Sequence, residues 1–261
     1  MRHRRWRYSR KAEKPSIALL QSLPLNGKTL IDAGANWGVY SWIMSEAAGP
    51  GGAVHAFEPQ PELCDHLNDL KASFRLSNLT INRQGLSSAP ATLELQRPKV
   101  GSGEAGVNLP AGTFENSIEV PVTTLDLYLG EQREKPVAFI KADVQGHEYD
   151  VFKGAAGVLA EDKPILLFEL FDYEAEKAEI SGLLAELGYV GWFYHVSRED
   201  HASLRTNGRG MFVEFEKYQD YEHPREGLDF RNYFFVHRDS PTARKFADVA
   251  GNPRNSAALG R

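Results

Sequence analysis

The sequence predicts an α/β domain built on a mainly parallel β-sheet with helices on both of its faces. Five short apolar runs alternate with segments of helical periodicity, which is typical of parallel strands joined by crossover helices. The 261 residues contain no internal repeat and no second composition regime, so we predict one large domain with tails. In such sheets ligands bind beyond the carboxyl ends of the strands, and we expect the functional residues there.

The first predicted strand lies between two predicted helices. A proline near the start of residues 15–23 indicates a short helix. Residues 28–33 (KTLIDA) are a short apolar run, as expected for a buried parallel strand. Residues 37–48 favour a helix, which the Gly-Pro-Gly-Gly cluster at 49–52 ends.

The middle of the chain continues this alternation and then becomes less regular. Residues 53–58 (AVHAFE) and 79–84 (LTINRQ) are the second and third predicted strands. Between them, Leu and Phe side chains recur at helical spacing from Pro61 onward and predict an amphipathic helix. Residues 91–96 alternate like a half-exposed strand, whereas 97–117 are rich in Gly, Pro, Asn and Ser and predict a surface loop.

The remaining elements follow the same rules up to two late β-rich segments. An edge strand interrupted by Pro121 precedes a short helix that Thr124 caps. No helical pattern follows the last β-rich segment. The predicted elements are residues 119–129 (strand, then helix), 137–143 (strand), 148–159 (helix), 164–170 (strand), 174–187 (helix), 188–196 (strand) and 232–238 (strand).

Acidic side chains stand at the ends of four predicted strands. They are Asp32, Glu58, Asp143 and Glu169. Free carboxylates inside a sheet are costly in free energy, so acids at the same end of several strands indicate a crevice lined by them.

The turn after the first strand predicts a nucleoside ligand that carries an ammonium group. The turn lacks the G-x-G-x-x-G spacing of dinucleotide sites, and Asp32 would repel a diphosphate but suits an ammonium group. Glu58 lies 20 residues beyond Gly38, where a carboxylate can accept hydrogen bonds from ribose hydroxyls. A ribose and an ammonium group without a phosphate describe S-adenosylmethionine. The alternative, a helix-capping Asp with structural glycines and a solvated Glu, stays open. The turn consists of Gly34, Ala35, Asn36, Trp37 and Gly38.

The chain combines the motifs D-x-G-A-N-x-G, F-E-P, T-T-L-D and K-x-D-x-x-G-H-E. Through this combination the sequence resembles the FkbM-type S-adenosylmethionine-dependent methyltransferases over about residues 28–238. The matching segments are LIDAGANWGVYS (30–41), VHAFEPQPE (54–62), LTINRQGLSS (79–88), VPVTTLDLYL (120–129), FIKADVQGHEYDVFKGA (139–155), PILLFEL (164–170) and NYFFVHR (232–238).

The resemblance implies a class I methyltransferase fold, a Rossmann-like sheet of seven strands whose last strand is antiparallel. It also implies O-methylation of a sugar, glycan or natural-product hydroxyl, with a small-molecule or glycan acceptor as partner. One departure is Gln145, where the family commonly has Glu. The candidate cofactor-binding residues are Asp32, Gly34, Ala35, Asn36, Gly38, Glu58, Gln84 and Asp143.

Two residues near the end of the fourth predicted parallel strand are the catalytic candidates. Asp143 and His147 flank a turn beside the first-strand crevice, where either is able to face the reacting hydroxyl as a general base. The alternatives are that His147 only bonds the backbone at a helix start, and that Asp143 orients the cofactor's ammonium group or the acceptor. Glu148 is expected to cap a helix, and Glu169 is a candidate to bind an acceptor hydroxyl. No metal motif appears, so we predict no metal site, and a dependence on a divalent ion through Asp143 and Glu169 stays open as the alternative.

The charge distribution separates a basic arm from an acidic body. Residues 1–11 hold six of the 30 basic residues and no acidic one, so the rest of the chain carries 24 basic against 35 acidic residues. We predict a disordered arm at 1–15, a methyltransferase domain at 16–238 and a flexible tail at 239–261. The arm leaves a nucleic-acid methyltransferase open as an alternative, although the acidic body disfavours nucleic acid. A nicotinamide oxidoreductase and a non-catalytic nucleoside-binding module also stay open.

The segment between the two late β-rich runs is a candidate cap over the acceptor. Residues 197–231 are far longer than a hairpin loop and contain apolar residues and several arginines able to bind polar acceptor groups. A solvent-facing or oligomer-forming hairpin is the alternative.

The single cysteine, Cys64, and the lack of a run of ~20 apolar residues favour a cytoplasmic protein without a membrane span. The sequence does not indicate the oligomeric state.

Overall fold

The structure is a computed structural model, and it describes residues 14–107, 109–130, 136–170, 174–195, 211–220 and 232–249. The helices, numbered in chain order, are α1 (Lys14–Ser22), α2 (Val39–Ala48), α3 (Pro61–Phe74), α4 (Leu125–Gly130), α5 (Glu148–Lys153), α6 (Ala156–Asp162), α7 (Glu174–Glu186) and α8 (Pro241–Val249). The strands are β1 (Thr29–Ala33), β2 (Ala53–Phe57), β3 (Leu79–Asn82), β4 (Gly85–Leu86), β5 (Ala91–Arg97), β6 (Asn116–Thr123), β7 (Val137–Ala142), β8 (Ile165–Glu169), β9 (Tyr189–His195), β10 (Met211–Glu214) and β11 (Asn232–His237). A 3-10 helix covers Phe215–Asp220.

The central sheet is mainly parallel, as the sequence predicts. Its strand order is β10-β9-β11-β8-β7-β1-β2-β3. Strands β3, β2, β1, β7 and β8 pair in parallel, and β11 lies antiparallel between β8 and β9. Strand β1 forms at the centre because Leu30 on one face and Ile31 and Ala33 on the other are apolar, and all five of its residues are buried. The antiparallel last strand is confirmed.

The predicted number of seven strands is wrong, because β10 adds an eighth. Its residues pair antiparallel with the end of β9, and Phe212 and Val213 are buried. Strand β10 lies five positions from β1 in the sheet, or roughly 24 Å at ordinary strand spacing. Within the predicted cap, β10 therefore extends the far edge of the sheet, and the 3-10 helix Phe215–Asp220 follows it. The rest of that cap lies outside the described residues.

Helices cover both faces of the sheet and enclose two apolar clusters. Side chains of α1, α2, α3 and α8 fill one cluster, and side chains of α4, α5, α6 and α7 fill the other. The predicted flexible tail is wrong for residues 241–249, because these residues form α8. Phe246 of this helix is fully buried and stacks on Trp192 with 5.1 Å between the ring centroids. Residues 1–13 of the predicted arm and residues 250–261 lie outside the described part of the chain. Residues 14 and 15, which the prediction placed in the arm, belong to α1.

A second, three-stranded sheet lies near the ends of β2 and β3 and later forms a wall of the candidate site. Its order is β4-β6-β5, and β6 continues through Pro121 where an interruption was predicted. Strand β4 pairs only with Val122 and Thr123 of β6. Pro121 therefore has no β4 partner to which a backbone N–H would have to donate.

Candidate active site

A cavity opens at the carboxyl ends of β1, β2 and β7. About 630 Å³ of space, which includes open solvent, lies between its walls. The turn after β1, the segment after β2 and the turn after β7 form one side, and the small sheet and residues 102–107 form the other. Apolar side chains of the small sheet make that second side suited to a flat, weakly polar group; they are Leu86, Leu93, Leu95, Val120 and Val122.

Glu58 connects the first two turns of the cavity. Its Oε2 accepts a hydrogen bond from the backbone N of Asn36 at 2.8 Å, and its Oε1 accepts one from the backbone N of Gln60 at 2.9 Å. Glu58 is 4% exposed, and this burial raises its pKa from 4.5 to about 7. Each carboxylate oxygen retains acceptor capacity for a further donor. The carboxylate therefore both orders the two turns and presents acceptors to a ligand.

The two glycines of the first turn have structural partners. Gly34 has a φ of 76°, and a Cβ there would lie 1.9 Å from the carbonyl oxygen of Asp143. Gly38 has a φ of 77°, and a Cβ there would lie 2.5 Å from a methyl carbon of Leu67 on α3. Gly34 thus lets the end of β7 approach the turn and also lines the cavity, whereas Gly38 lets α3 approach the turn.

A buried lysine lies between two of the predicted acids. Lys141 on β7 is 5% exposed, and its Nζ lies 3.0 Å from Oδ2 of Asp143. Gln145 Nε2 donates to the other oxygen of Asp143 at 2.7 Å. Asp32 is fully buried behind the turn and accepts a hydrogen bond from Ser41, and burial raises its pKa. Asp143 thus faces the cavity as an oriented carboxylate whose charge Lys141 compensates.

Glu148 holds the turn after β7 in place. It is 1% exposed and accepts hydrogen bonds from the backbone N of Val144 at 2.8 Å and of Gly146 at 3.0 Å. Gln145 adopts a φ of 57° within this turn. Glu148 thus stabilises the turn through two backbone hydrogen bonds. The side-chain amide of Gln145 donates to Asp143, and a carboxylate at position 145 could not donate this hydrogen bond.

His147 lines the cavity at the end of the same turn. Its Nε2 lies 2.9 Å from Ser87 Oγ, and its Nδ1 lies 3.5 Å from Asp150 Oδ2. Burial lowers its pKa below 6.5, so the imidazole is neutral near pH 7. A neutral imidazole has one nitrogen able to accept a proton, which is the requirement for a general base.

Residues 102–107, within the predicted surface loop, form the roof of the cavity. Gln60 Nε2 donates to the carbonyl oxygen of Ser102 at 2.8 Å, which joins this roof to the segment after β2. Gly103 lies against the Asn36 amide, since a Cβ there would be 2.3 Å from Asn36 Nδ2. The side-chain carbonyl oxygens of Asn36 and Gln60 are buried and lack hydrogen-bond partners within the described residues.

We expect Gly103→Ala to weaken binding of S-adenosylhomocysteine because the added methyl group displaces the Asn36 side chain. The loss of one hydrogen bond to the ligand corresponds to a loss of about 3- to 10-fold in affinity. Calorimetric titration measures it. Gly182→Ala is the control, because nothing lies within 4 Å of a Cβ at that position. Unchanged affinity in Gly103→Ala would show that this contact does not shape the ligand site.

The structure brings five of the predicted site residues to the cavity and leaves others behind it. Gly34, Asn36, Glu58, Asp143 and His147 line the cavity. The others lie elsewhere: Asp32 and Ala35 are buried beneath the turn, Gly38 packs on α3, Gln84 is half-buried just before β4, and Glu169 ends β8 opposite Asn232.

Sequence reasoning missed Lys141, Gln60 and Ser87 as contributors to the site. Lys141 had a signal, since it is a charged residue inside an otherwise apolar strand. Gln60 and Ser87 had none, because their partners are distant in the sequence. Over the described ranges, no group of His, Cys, Asp or Glu is arranged to hold a metal ion. In that same part of the chain, no helix has the length and apolar character to cross a membrane.

The sheet is mainly parallel, and the antiparallel strand β11 lies between β8 and β9. Together with a cavity at the ends of β1 and β2, this topology defines the class I methyltransferase fold. The chain belongs to the FkbM methyltransferase family, because the methyltransferase FkbM domain matches residues 32–190.

Two similar proteins illustrate this membership. Hexuronic acid methyltransferase AglP of Haloferax volcanii is 31% identical over 154 residues, which are 57% of this chain and 59% of that protein. The chain thus matches less than two thirds of that relative. The solved structure of methyltransferase FkbM from Methylobacillus flagellatus KT has a TM-score of 0.51 and 14% identity, covering 82% of this chain and 45% of that one. This likeness concerns the fold alone.

Proposed function

We propose that the protein transfers a methyl group from S-adenosylmethionine to a hydroxyl group of a sugar or glycan. The observation that carries the proposal is the presence, in one cavity, of the Glu58 carboxyl group and the His147 imidazole. The first suits a ribose, and the second suits a hydroxyl group that must lose a proton.

The cavity residues fit S-adenosylmethionine. Glu58 has acceptor capacity for the ribose hydroxyls, and the apolar wall of the small sheet suits the faces of an adenine ring. The buried carbonyl oxygens of Asn36 and Gln60 have no partners among the described residues and are available to donor groups of such a ligand. When bound, the cofactor supplies an electrophilic methyl group on a sulfonium centre.

We assign different roles to the two catalytic candidates. Asp143 already accepts hydrogen bonds from Lys141 and Gln145, so we propose that it orients the cofactor's ammonium group or the acceptor. Burial lowers the pKa of His147, and its imidazole has no ammonium partner among the described residues, so we propose that it is the general base at Nε2.

The acceptor class is supported by the relative that methylates a hexuronic acid. The cavity lining contains Glu58, Asp143 and His147 as its ionisable side chains. A neutral hydroxyl group suits this lining. A carboxylated acceptor needs a cation from another part of the chain.

We expect the affinity for S-adenosylhomocysteine to rise with pH because ribose hydroxyls bind the ionised form of Glu58. With a pKa of about 7, the ionised fraction of Glu58 increases about tenfold between about pH 6 and about pH 8. Calorimetry across this range should show a matching gain in affinity, and Glu58→Gln should remove the pH dependence. An affinity that is independent of pH in the wild type would contradict the role of Glu58.

The same group has the opposite effect on the stability of the ligand-free protein. Its folded pKa lies above the ordinary 4.5, so the folded state binds more protons between these values. The contribution of Glu58 to the free energy of unfolding is complete below about pH 4.5 and is lost as the pH rises through about 7. Thermal unfolding of the wild type against Glu58→Gln separates this contribution from those of other groups.

Transfer of a labelled methyl group tests the proposed reaction directly. The protein is incubated with labelled S-adenosylmethionine and a panel of neutral sugars, hexuronic acids and glycans, and the products are analysed by mass spectrometry and NMR. We expect label on a hydroxyl oxygen of one acceptor class. Label on a carboxylate, a nitrogen or a nucleic acid would overturn the proposed reaction.

A further inference from the structure

Two neighbours hold the imidazole of His147 from opposite sides. Ser87 Oγ lies 2.9 Å from Nε2, and Asp150 Oδ2 lies 3.5 Å from Nδ1. The side chain of His147 is 11% exposed, against 37% for that of Asp150. The ring is confined, and its two neighbours decide which nitrogen carries the proton.

Both neighbours are themselves anchored. The backbone N of Ser87 donates to the carbonyl oxygen of Thr123 at 2.9 Å. Gly154 allows the close approach of this segment, because a Cβ there would lie 2.0 Å from the Ser87 carbonyl oxygen. On the other side, Ser88 Oγ donates to Oδ1 of Asp150 at 2.6 Å. The positions of Ser87 and Asp150 are thus set by the fold.

The chemistry of the two neighbours favours one tautomer of His147. A carboxylate only accepts hydrogen bonds, so Asp150 favours the proton on Nδ1. Nε2 then keeps its lone pair and accepts the hydroxyl proton of Ser87. Without Asp150, the ring is free to carry its proton on Nε2 and to donate it to Ser87, and Nε2 could then accept no proton.

We infer that Asp150 is a positioning residue that keeps Nε2 of His147 available as the proton acceptor, while Ser87 occupies Nε2 when no acceptor is present. The inference rests on the proposed function of His147. In the proton transfer, the O–H bond of the acceptor breaks, its electron pair stays on the oxygen, and its proton forms the Nε2–H bond. Asp150 then stabilises the imidazolium that results.

NMR spectra of the protein with ¹⁵N-labelled histidine test the inference without using activity. Long-range ¹H–¹⁵N correlations distinguish the two tautomers, and the spectrum of His147→Gln identifies the signal of His147. At a pH where the ring is neutral, we expect the Nδ1–H form in the wild type. Asp150→Ala should convert it to the Nε2–H form. Asp69→Ala is the control and should leave the tautomer unchanged, because it removes an exposed carboxylate from α3, which packs in the other apolar cluster.

Kinetics provides the second measurement. Asp150→Ala should lower kcat about tenfold and leave the affinity for S-adenosylhomocysteine within about twofold, since orientation of a general base affects turnover more than binding. The Nε2–H form in the wild type, or an unchanged tautomer in Asp150→Ala, would overturn the inference. If the tautomers are as expected but the wild type binds S-adenosylhomocysteine and methylates no acceptor, the proposed function fails instead.

Discussion

Gly34→Ala is expected to unfold the protein at a much lower temperature than the wild type. An alanine Cβ at this position would lie 1.9 Å from the carbonyl oxygen of Asp143, far inside van der Waals contact. This carbonyl oxygen belongs to the backbone and cannot move aside easily. The backbone N of Asp143 donates to the carbonyl oxygen of Ala33 at 3.0 Å, which holds Asp143 at the end of the sheet. The turn and β7 must separate to admit the methyl group. We expect a loss of about 3–5 kcal/mol in the free energy of unfolding, or a fall in Tm of roughly 10 °C or more.

The matched control for this variant is Gly27→Ala. Gly27 has a φ of 75°, almost the same as Gly34, but nothing lies within 4 Å of a Cβ there. Its substitution therefore incurs only the cost of a left-handed conformation, about 1–2 kcal/mol. Equal losses of Tm in the two variants would show that the backbone conformation, and not the contact with Asp143, makes glycine necessary at position 34.

His147→Ala is expected to lower kcat by about 10²- to 10⁴-fold, the usual effect of removing a general base. The affinity for S-adenosylhomocysteine should stay within about threefold of the wild type, since we assign no cofactor contact to the imidazole. Single-turnover kinetics with labelled methyl donor and the identified acceptor measures the first quantity, and calorimetry measures the second.

Asp143→Asn is the comparison that separates the two catalytic candidates. It removes the negative charge that lies 3.0 Å from the buried Lys141 ammonium and one carboxylate acceptor of the cavity. We therefore expect weaker cofactor binding and a smaller loss of kcat than in His147→Ala. Near-normal turnover in His147→Ala together with a large loss in Asp143→Asn would reverse the assignment.

The features that sequence reasoning predicted well are those that depend on short segments. Strands β1 and β2 are short, mostly apolar runs, with Asp32 near the end of the first and Glu58 just after the second, and helix α3 has a regular apolar stripe. Glu58 was predicted as a ligand residue because its distance from Gly38 follows from one strand–helix–strand unit. Its place in the cavity agrees with that prediction, although its role in binding a cofactor stays a proposal.

The features that the sequence did not reveal depend on contacts between distant segments. Gly34 is needed because of the carbonyl oxygen of Asp143, more than 100 residues away in the chain. Strand β10 is only four residues long and becomes a strand because the end of β9 offers it a partner. The roof formed by residues 102–107 has the composition of an ordinary surface loop. Its position over the cavity follows from the pairing of β5 with β6.

The central claim is that this cavity binds S-adenosylmethionine through Glu58. Calorimetric titration of the full-length protein with S-adenosylhomocysteine tests it most directly, with NADH as the competing ligand class. We expect one site per chain for S-adenosylhomocysteine, affinity weakened by about 10- to 100-fold in Glu58→Gln, and no binding of NADH. Tight binding of NADH, or no binding of S-adenosylhomocysteine by the folded protein, would contradict the account.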